Sequence, residues 1–197
     1  MAEYLGLMPG IGRHVLVEAC KRCKYWNDFG RPEFHVTVNM SLSQLLYKDT
    51  PEYIRAALEK TELEPSHLRI DVVEYDNVRE MEHLAQVLRV IRQLGVKIAL
   101  DDFGMEGTSF HAMRIFSADM IKFSESCIAE LGTDPFMKQY VEAAVGLADL
   151  LHIQTLAKGV EWQKQVLALQ KMHLTMAQGY VFDKPMSSED FEKKYIF

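Results

Sequence analysis

Asn39, Asp71, Asp101, Asp102, Lys122, Lys158 and Gln178 each fall in or directly after a short apolar run. Carboxylates and amides are oxygen ligands for hard divalent cations, and a lysine beside them can meet phosphate charge. Taken one at a time, such residues cap helices or satisfy loops. Their recurrence at successive run ends points instead to one polar mouth, if the runs are strands of a parallel sheet.

The elements needed to build that mouth can be read from the periodicity. Ile11 to Phe29 reads as a helix, with Ile11, Val15, Ala19, Cys23 and Trp26 along one face and Gly30 beyond its end. Strands are expected at Phe34–Val38, Leu68–Val73, Val96–Leu100, Asp119–Phe123 and Ile153–Ala157, with a weaker one at Met176–Val181. Helices are expected from Thr50-Pro51 to Leu63, from Asn77 to Leu94, near Phe110–Ile115, from Asp134 to about Leu151, and from Trp162 to Met172. Ser187 or Ser188 caps a last one. Strand–helix alternation with short connections implies a parallel sheet, and its apolar strands imply burial on both faces. About six units can be counted. A closed barrel typically has eight units and about 250 residues, so either the barrel is short by about two units or the sheet is open and doubly wound.

Composition sets the outer limits. The 197 residues suffice for one domain with a core. A net charge of -6 lacks the basic face of a polymer nucleic-acid or membrane-surface binder. No apolar run approaches a membrane span, no signal peptide is visible, and the expected location is cytoplasmic. Cys20, Cys23 and Cys127 make no disulfide framework, and Cys20-Lys21-Arg22-Cys23 lacks the second ligand pair of a zinc site. It reads as two half-buried helix cysteines. His14, His83 and His152 fall in helical stretches and read as surface or packing residues. No glycine-rich phosphate loop follows a strand, which leaves a nucleotide-binding doubly wound protein with little support.

Five segments, in order, resemble the EAL domain family. They are Val38-Asn39-Met40-Ser41, Leu100-Asp101-Asp102-Phe103-Gly104, Asp119-Met120-Ile121-Lys122, Gly159-Val160-Glu161 and Ala177-Gln178-Gly179-Tyr180. Glu3–Leu7 and Ile11–Leu16 are similar to the family's first helix region. The resemblance implies an α/β fold, a TIM-like (β/α) barrel whose first strand runs antiparallel. It also implies hydrolysis of cyclic di-GMP with two Mg²⁺ or Mn²⁺ ions. On that template Asn39, Asp71, Asp101 and Asp102 are the metal ligands. Lys122 serves the water or the phosphate, Gln178 lies near the metal-bound water, and Glu161 braces the loop after Asp102.

The same comparison implies a degenerate site. No Glu-Ala-Leu tripeptide occurs, and residues 1–197 are expected to form a single partial EAL domain, incomplete at the N-terminus and starting roughly 40 to 50 residues into a barrel of about 250. Lys158 replaces a glutamate of the family pattern, Asp71 stands for a longer glutamate, Ser124 replaces an aspartate, and Met105–Ser109 alters a loop that couples dimerisation to metal binding. An ammonium repels a metal ion and is expected to pair with Asp101 or Asp102. No bound Mg²⁺ or Mn²⁺ is therefore expected. The expected function is regulatory or scaffolding, within a longer protein carrying GGDEF or sensory domains, as a homodimer. Two alternatives stand beside it. One is a metal-independent cyclic di-GMP receptor, with Lys122 and Lys158 on phosphates and Phe103, Tyr180 or Phe182 on guanine. The other is an enzyme completed by an upstream segment.

Overall fold

The computed structural model describes residues 8–29, 33–73, 81–104 and 110–197. In chain order the elements are α1 (Met8–Phe29), β1 (Val36–Met40), α2 (Leu42–Leu45), α3 (Thr50–Thr61), β2 (Leu68–Val72), α4 (Met81–Gln93), β3 (Lys97–Phe103) and α5 (Phe110–Ile115). They continue with β4 (Met120–Phe123), α6 (Glu125–Glu130), α7 (Pro135–Leu150), β5 (Gln154–Ala157), α8 (Gln163–Lys171), β6 (Met176–Ala177) and α9 (Ser188–Tyr195). The strands take chain order in the sheet, and each described pairing is parallel. The alternation expected from the sequence is thus present. Glu3–Leu7, the start of the Asn77 helix and the Met105–Ser109 loop lie outside the described residues.

The chain divides into two compact units, Met1–Ile98 with Met186–Phe197, and Ala99–Pro185. In the first, α1 packs on α3 and β1. Its buried line is Leu16, Cys20 and Cys23, all at 0% exposure. That line shares Cys23 with the face read in the sequence but takes Leu16 and Cys20 in place of Val15 and Ala19, and Ile11 and Val15 are exposed. The two cysteines therefore serve as core. Burial pushes the Cys20 thiol up to about 12 and the Cys23 thiol up to about 11, which leaves both protonated and inert. Thr50 does not cap α3: its hydroxyl donates to the Gln44 carbonyl at 2.6 Å, and Asp49 holds the cap position. The short helix α2 was not foreseen, although Ser41 and Gln44 form a reciprocal capping box that marks it.

In the second unit β4 is buried along its whole length, Lys122 included. Asp134 caps α7 by accepting from the Phe136 amide at 2.9 Å, with Pro135 in the first turn. Helix α6, also unforeseen, begins at Ser124, whose hydroxyl accepts from the Cys127 amide.

One helix ending recurs in both units. A residue in the left-handed region is followed by a buried apolar one, at Glu62-Leu63, Gly95-Val96, Ser117-Ala118, His152-Ile153 and His173-Leu174, and in all but the first that residue leads within two positions into the next strand. In three of them the apolar residue's amide reaches back five residues, as Ile153 does to Ala148 at 2.8 Å. Only one of the five is glycine, so the others hold a conformation unfavourable to a side chain. His152→Gly is expected to raise stability by about 0.5–1 kcal/mol, the relief of that strain less glycine's extra chain entropy. Chemical denaturation with an unchanged slope and a higher midpoint is the confirming result.

Candidate functional site

The polar residues singled out in the sequence occupy the strand ends. In the first unit Asn39 and Asp71 are partners in the β1–β2 register, near the end of both strands. Asn39 is exposed and Asp71 is 2% exposed.

In the second unit a bulge controls the geometry. Between Leu100↔Ile121 and Phe103↔Phe123 strand β3 carries one more residue than β4. The extra residue is taken up at Asp101-Asp102, where Asp102 has φ 49°. Asp102's amide, out of the ladder, donates to the Asp101 carboxylate at 2.9 Å. The bulge turns Asp101 inward and leaves Asp102 exposed.

Lys158 directly follows β5. Its amide donates to the Phe123 carbonyl at 3.1 Å and extends the β4–β5 ladder by one residue. Its ammonium donates to Oδ1 of Asp101 at 2.7 Å and to Oδ1 of Asp102 at 2.8 Å. The Lys158 and Asp101 side chains are 16% and 9% exposed, so this pair is largely desolvated, whereas Asp102 at 58% keeps its water. Burial alone would lower the Lys158 pKa, but the hydrogen bonds it donates to Asp101 and Asp102 and their charges outweigh it and raise it. The stabilisation is therefore complete below the ordinary lysine value of ~10.4 and is lost as pH rises through the higher folded one. Alkaline melts should show wild type losing stability above about pH 10 relative to Lys158→Met. Parallel curves would show that the pair contributes nothing.

The turn after Lys158 depends on glycine. Gly159 has φ +66°, and a Cβ there would lie 2.7 Å from Cγ of Glu125. Glu125, whose side chain crosses this turn, is a residue the sequence reading missed, and no local motif marks it. Gln178 stands just past β6; its amide donates to Ala157 at 2.8 Å and its carbonyl accepts from Val160 at 3.1 Å. Lys122 is buried in β4, opposite Leu156.

Other expected site residues are placed differently. Phe103 is fully buried, with Phe110 and Phe123 edge-on to it at 5.7 and 6.0 Å, so its ring is packing and offers no face to a guanine. Tyr180 and Phe182 are exposed, and the Lys184 ammonium lies over the Tyr180 ring. Glu161 is exposed; its amide donates to Gln165, and the loop it was expected to brace lies outside the described residues. Ser124, in place of the family's aspartate, is a helix cap.

A divalent cation does not fit the second unit's residues as arranged. Such an ion draws its ligands to about 2.0–2.6 Å in a shell of six or more oxygens. Here one oxygen of each aspartate already bonds an ammonium that would repel the ion. Among the described residues no three or more His, Cys, Asp or Glu side chains group together. No helix among them is long and apolar enough to cross a membrane.

Comparison with known proteins bears on the family and the fold. The EAL domain family model matches residues 1–185. The chain is 32% identical over 196 residues to the signaling protein YkoW of Bacillus subtilis, covering 100% of this chain and 24% of that protein. It is 32% identical over 189 residues to MucR of Pseudomonas aeruginosa, a bifunctional diguanylate cyclase/cyclic di-GMP phosphodiesterase, covering 96% and 28%. The chain thus spans about a quarter of the length of these curated relatives. The PaMucR phosphodiesterase in complex with c-di-GMP superposes with a TM-score of 0.90 at 32% identity, over 96% of this chain and 77% of that one. The EAL domain of Mycobacterium smegmatis DcpA does so with a TM-score of 0.86 at 27% identity, over 95% and 85%. These neighbours have the α/β, TIM-like fold expected from the sequence. By family match, relatives and fold together, the chain belongs to the EAL domain family.

Proposed function

We propose that this EAL domain does not hydrolyse cyclic di-GMP and serves cyclic di-GMP signalling as a regulatory or scaffolding domain. The observation that carries the reading is the Lys158 ammonium bonded to both Asp101 and Asp102. A metal-dependent phosphodiesterase needs its carboxylates for an ion that activates water. Here both are already engaged by an ammonium from within the chain. Asn39, Asp71, Lys122, Gln178 and Glu161 are then vestiges of the family's site, and neither Mg²⁺ nor Mn²⁺ is a cofactor. As one domain of a signalling protein, its partners would be GGDEF or sensory domains and a second copy of itself. That fits relatives several times its length, one of which, MucR, also bears the name of a cyclase.

The test measures binding and turnover of cyclic di-GMP together, with and without Mn²⁺, using the MucR phosphodiesterase as the active control. Neither binding nor turnover is the expected result. Binding without turnover would favour the metal-independent receptor, for which the exposed Tyr180 and Phe182 rings are the stacking candidates. Mn²⁺-dependent turnover would overturn the proposal.

A further inference from the structure

The C-terminal helix α9 lies beyond residues 1–185, the part matched by the family. It belongs to the first unit, where it folds back on α1. Among the described residues its hold centres on Phe191 and Glu192. The Phe191 ring packs on Trp26 at 4.7 Å and edge-on to Phe34 at 5.7 Å between centroids. The Glu192 carboxylate accepts from Arg22 at 2.9 Å and from the Trp26 indole N–H at 3.0 Å. No residue of α9 is fully buried. A helix of 8 residues has no stability of its own in water, so α9 is helical only while it stays docked.

Phe34 links this contact to the candidate site. Its amide donates to the Asn27 side chain at 2.9 Å, and its carbonyl accepts from Asn27 at 3.0 Å and from the Cys23 thiol at 3.3 Å. Both backbone groups of Phe34 are thus held by α1, which is why β1 begins at Val36 and not at Phe34. Two residues on, β1 starts, and it carries Asn39 opposite Asp71.

We propose that α9 is a releasable strap. It opens before the rest of its unit, and through Phe34 its docking sets the order of β1 and the placement of Asn39. Elements held by few apolar contacts occupy the low end of the local-opening scale. Release would also bare Arg22, Trp26 and Phe34, a cationic and aromatic surface now covered by a Phe-Glu pair.

Native-state hydrogen exchange read by mass spectrometry tests this. In the wild type, α9 peptides should exchange roughly ten- to a hundredfold faster than α1 peptides. Phe191→Ala should speed exchange across Val36–Met40 roughly tenfold and leave β4 unchanged. In a Trp162→Phe background, whose remaining tryptophan is Trp26, the same substitution should shift emission to the red. Glu192→Gln should do each of these to a smaller degree. Equal exchange of α9 and α1, unchanged β1 exchange in Phe191→Ala, or global unfolding by that substitution would each overturn the strap. None of these outcomes depends on whether the domain hydrolyses cyclic di-GMP.

Discussion

Lys158→Glu is expected to create Mn²⁺ binding that the wild-type chain is expected to lack. In the wild type the ammonium sits 2.7 and 2.8 Å from the two aspartates, which sets one positive charge against two negative ones and places a repelling cation where an ion would approach. Glutamate at the same position removes the cation and adds a third carboxylate, an oxygen set suited to Mg²⁺ or Mn²⁺. Calorimetry should show no Mn²⁺ heat for wild type and binding in the micromolar to millimolar range for the variant. Stability supplies a second readout. Breaking a buried ion pair by removing one partner costs about 3–5 kcal/mol, and the hydration of Asp102 brings the expectation for Lys158→Met to about 2–4 kcal/mol. For Lys158→Glu without metal the loss is larger, because three like charges meet. Mn²⁺ at about 100 times its Kd should restore about 2.7 kcal/mol to the glutamate variant and nothing to wild type. Equal Mn²⁺ affinity in the two proteins would show that Lys158 does not govern the site, and the proposed loss of hydrolysis would lose its support.

The fold was largely legible because each strand is a short apolar run and each long helix carries a cap or stop. Asp134-Pro135 marked α7, and Gly95 marked the end of α4. Boundaries failed where side chains took over backbone bonding, as at Phe34, or where an apolar position was assigned to the wrong helical line, as with Ile11 and Val15. Helix α6 is hidden when Ser124 is read only as a replaced aspartate, whereas an N-cap serine is also a helix start. Within the site, the attraction of Lys158 for Asp101 and Asp102 followed from charge once the family resemblance set the three at one site. The bulge could not, since nothing in Leu-Asp-Asp-Phe says that Asp102 turns left-handed and Asp101 turns inward. For the same reason Phe103 read as a stacking residue although its ring is core. Glu125 was invisible because its role depends on Gly159, which is distant in sequence and adjacent only once β4 and β5 pair.

Gly179→Ala should destabilise the protein by several kcal/mol, about 3–5. Gly179 has φ +155°, and a Cβ there would run into the nitrogen and carbonyl oxygen of Val160, with the carbonyl carbon 2.7 Å away. These are backbone atoms, so no rotamer change relieves the contact. The 178–181 turn must move off Val160, and three bonds suffer together: Gln178 to Ala157 at 2.8 Å, Val160 to Gln178 at 3.1 Å, and Val181 to Val160 at 3.1 Å. Overpacking of about 1–3 kcal/mol and roughly 1 kcal/mol per weakened bond give a loss of about 3–5 kcal/mol, or about 10 °C in Tm for a chain this size. Gly146→Ala is the matched control. It lies in α7 with nothing within 4 Å of an added Cβ, and helix propensity predicts a gain of about 1 kcal/mol. Opposite signs for the two glycines would establish the Val160–Gly179 contact as the clamp that holds Gln178 at the end of β6. A mild effect at Gly179 would mean that the turn gives way freely, and Gln178 would then have no fixed place beside β5.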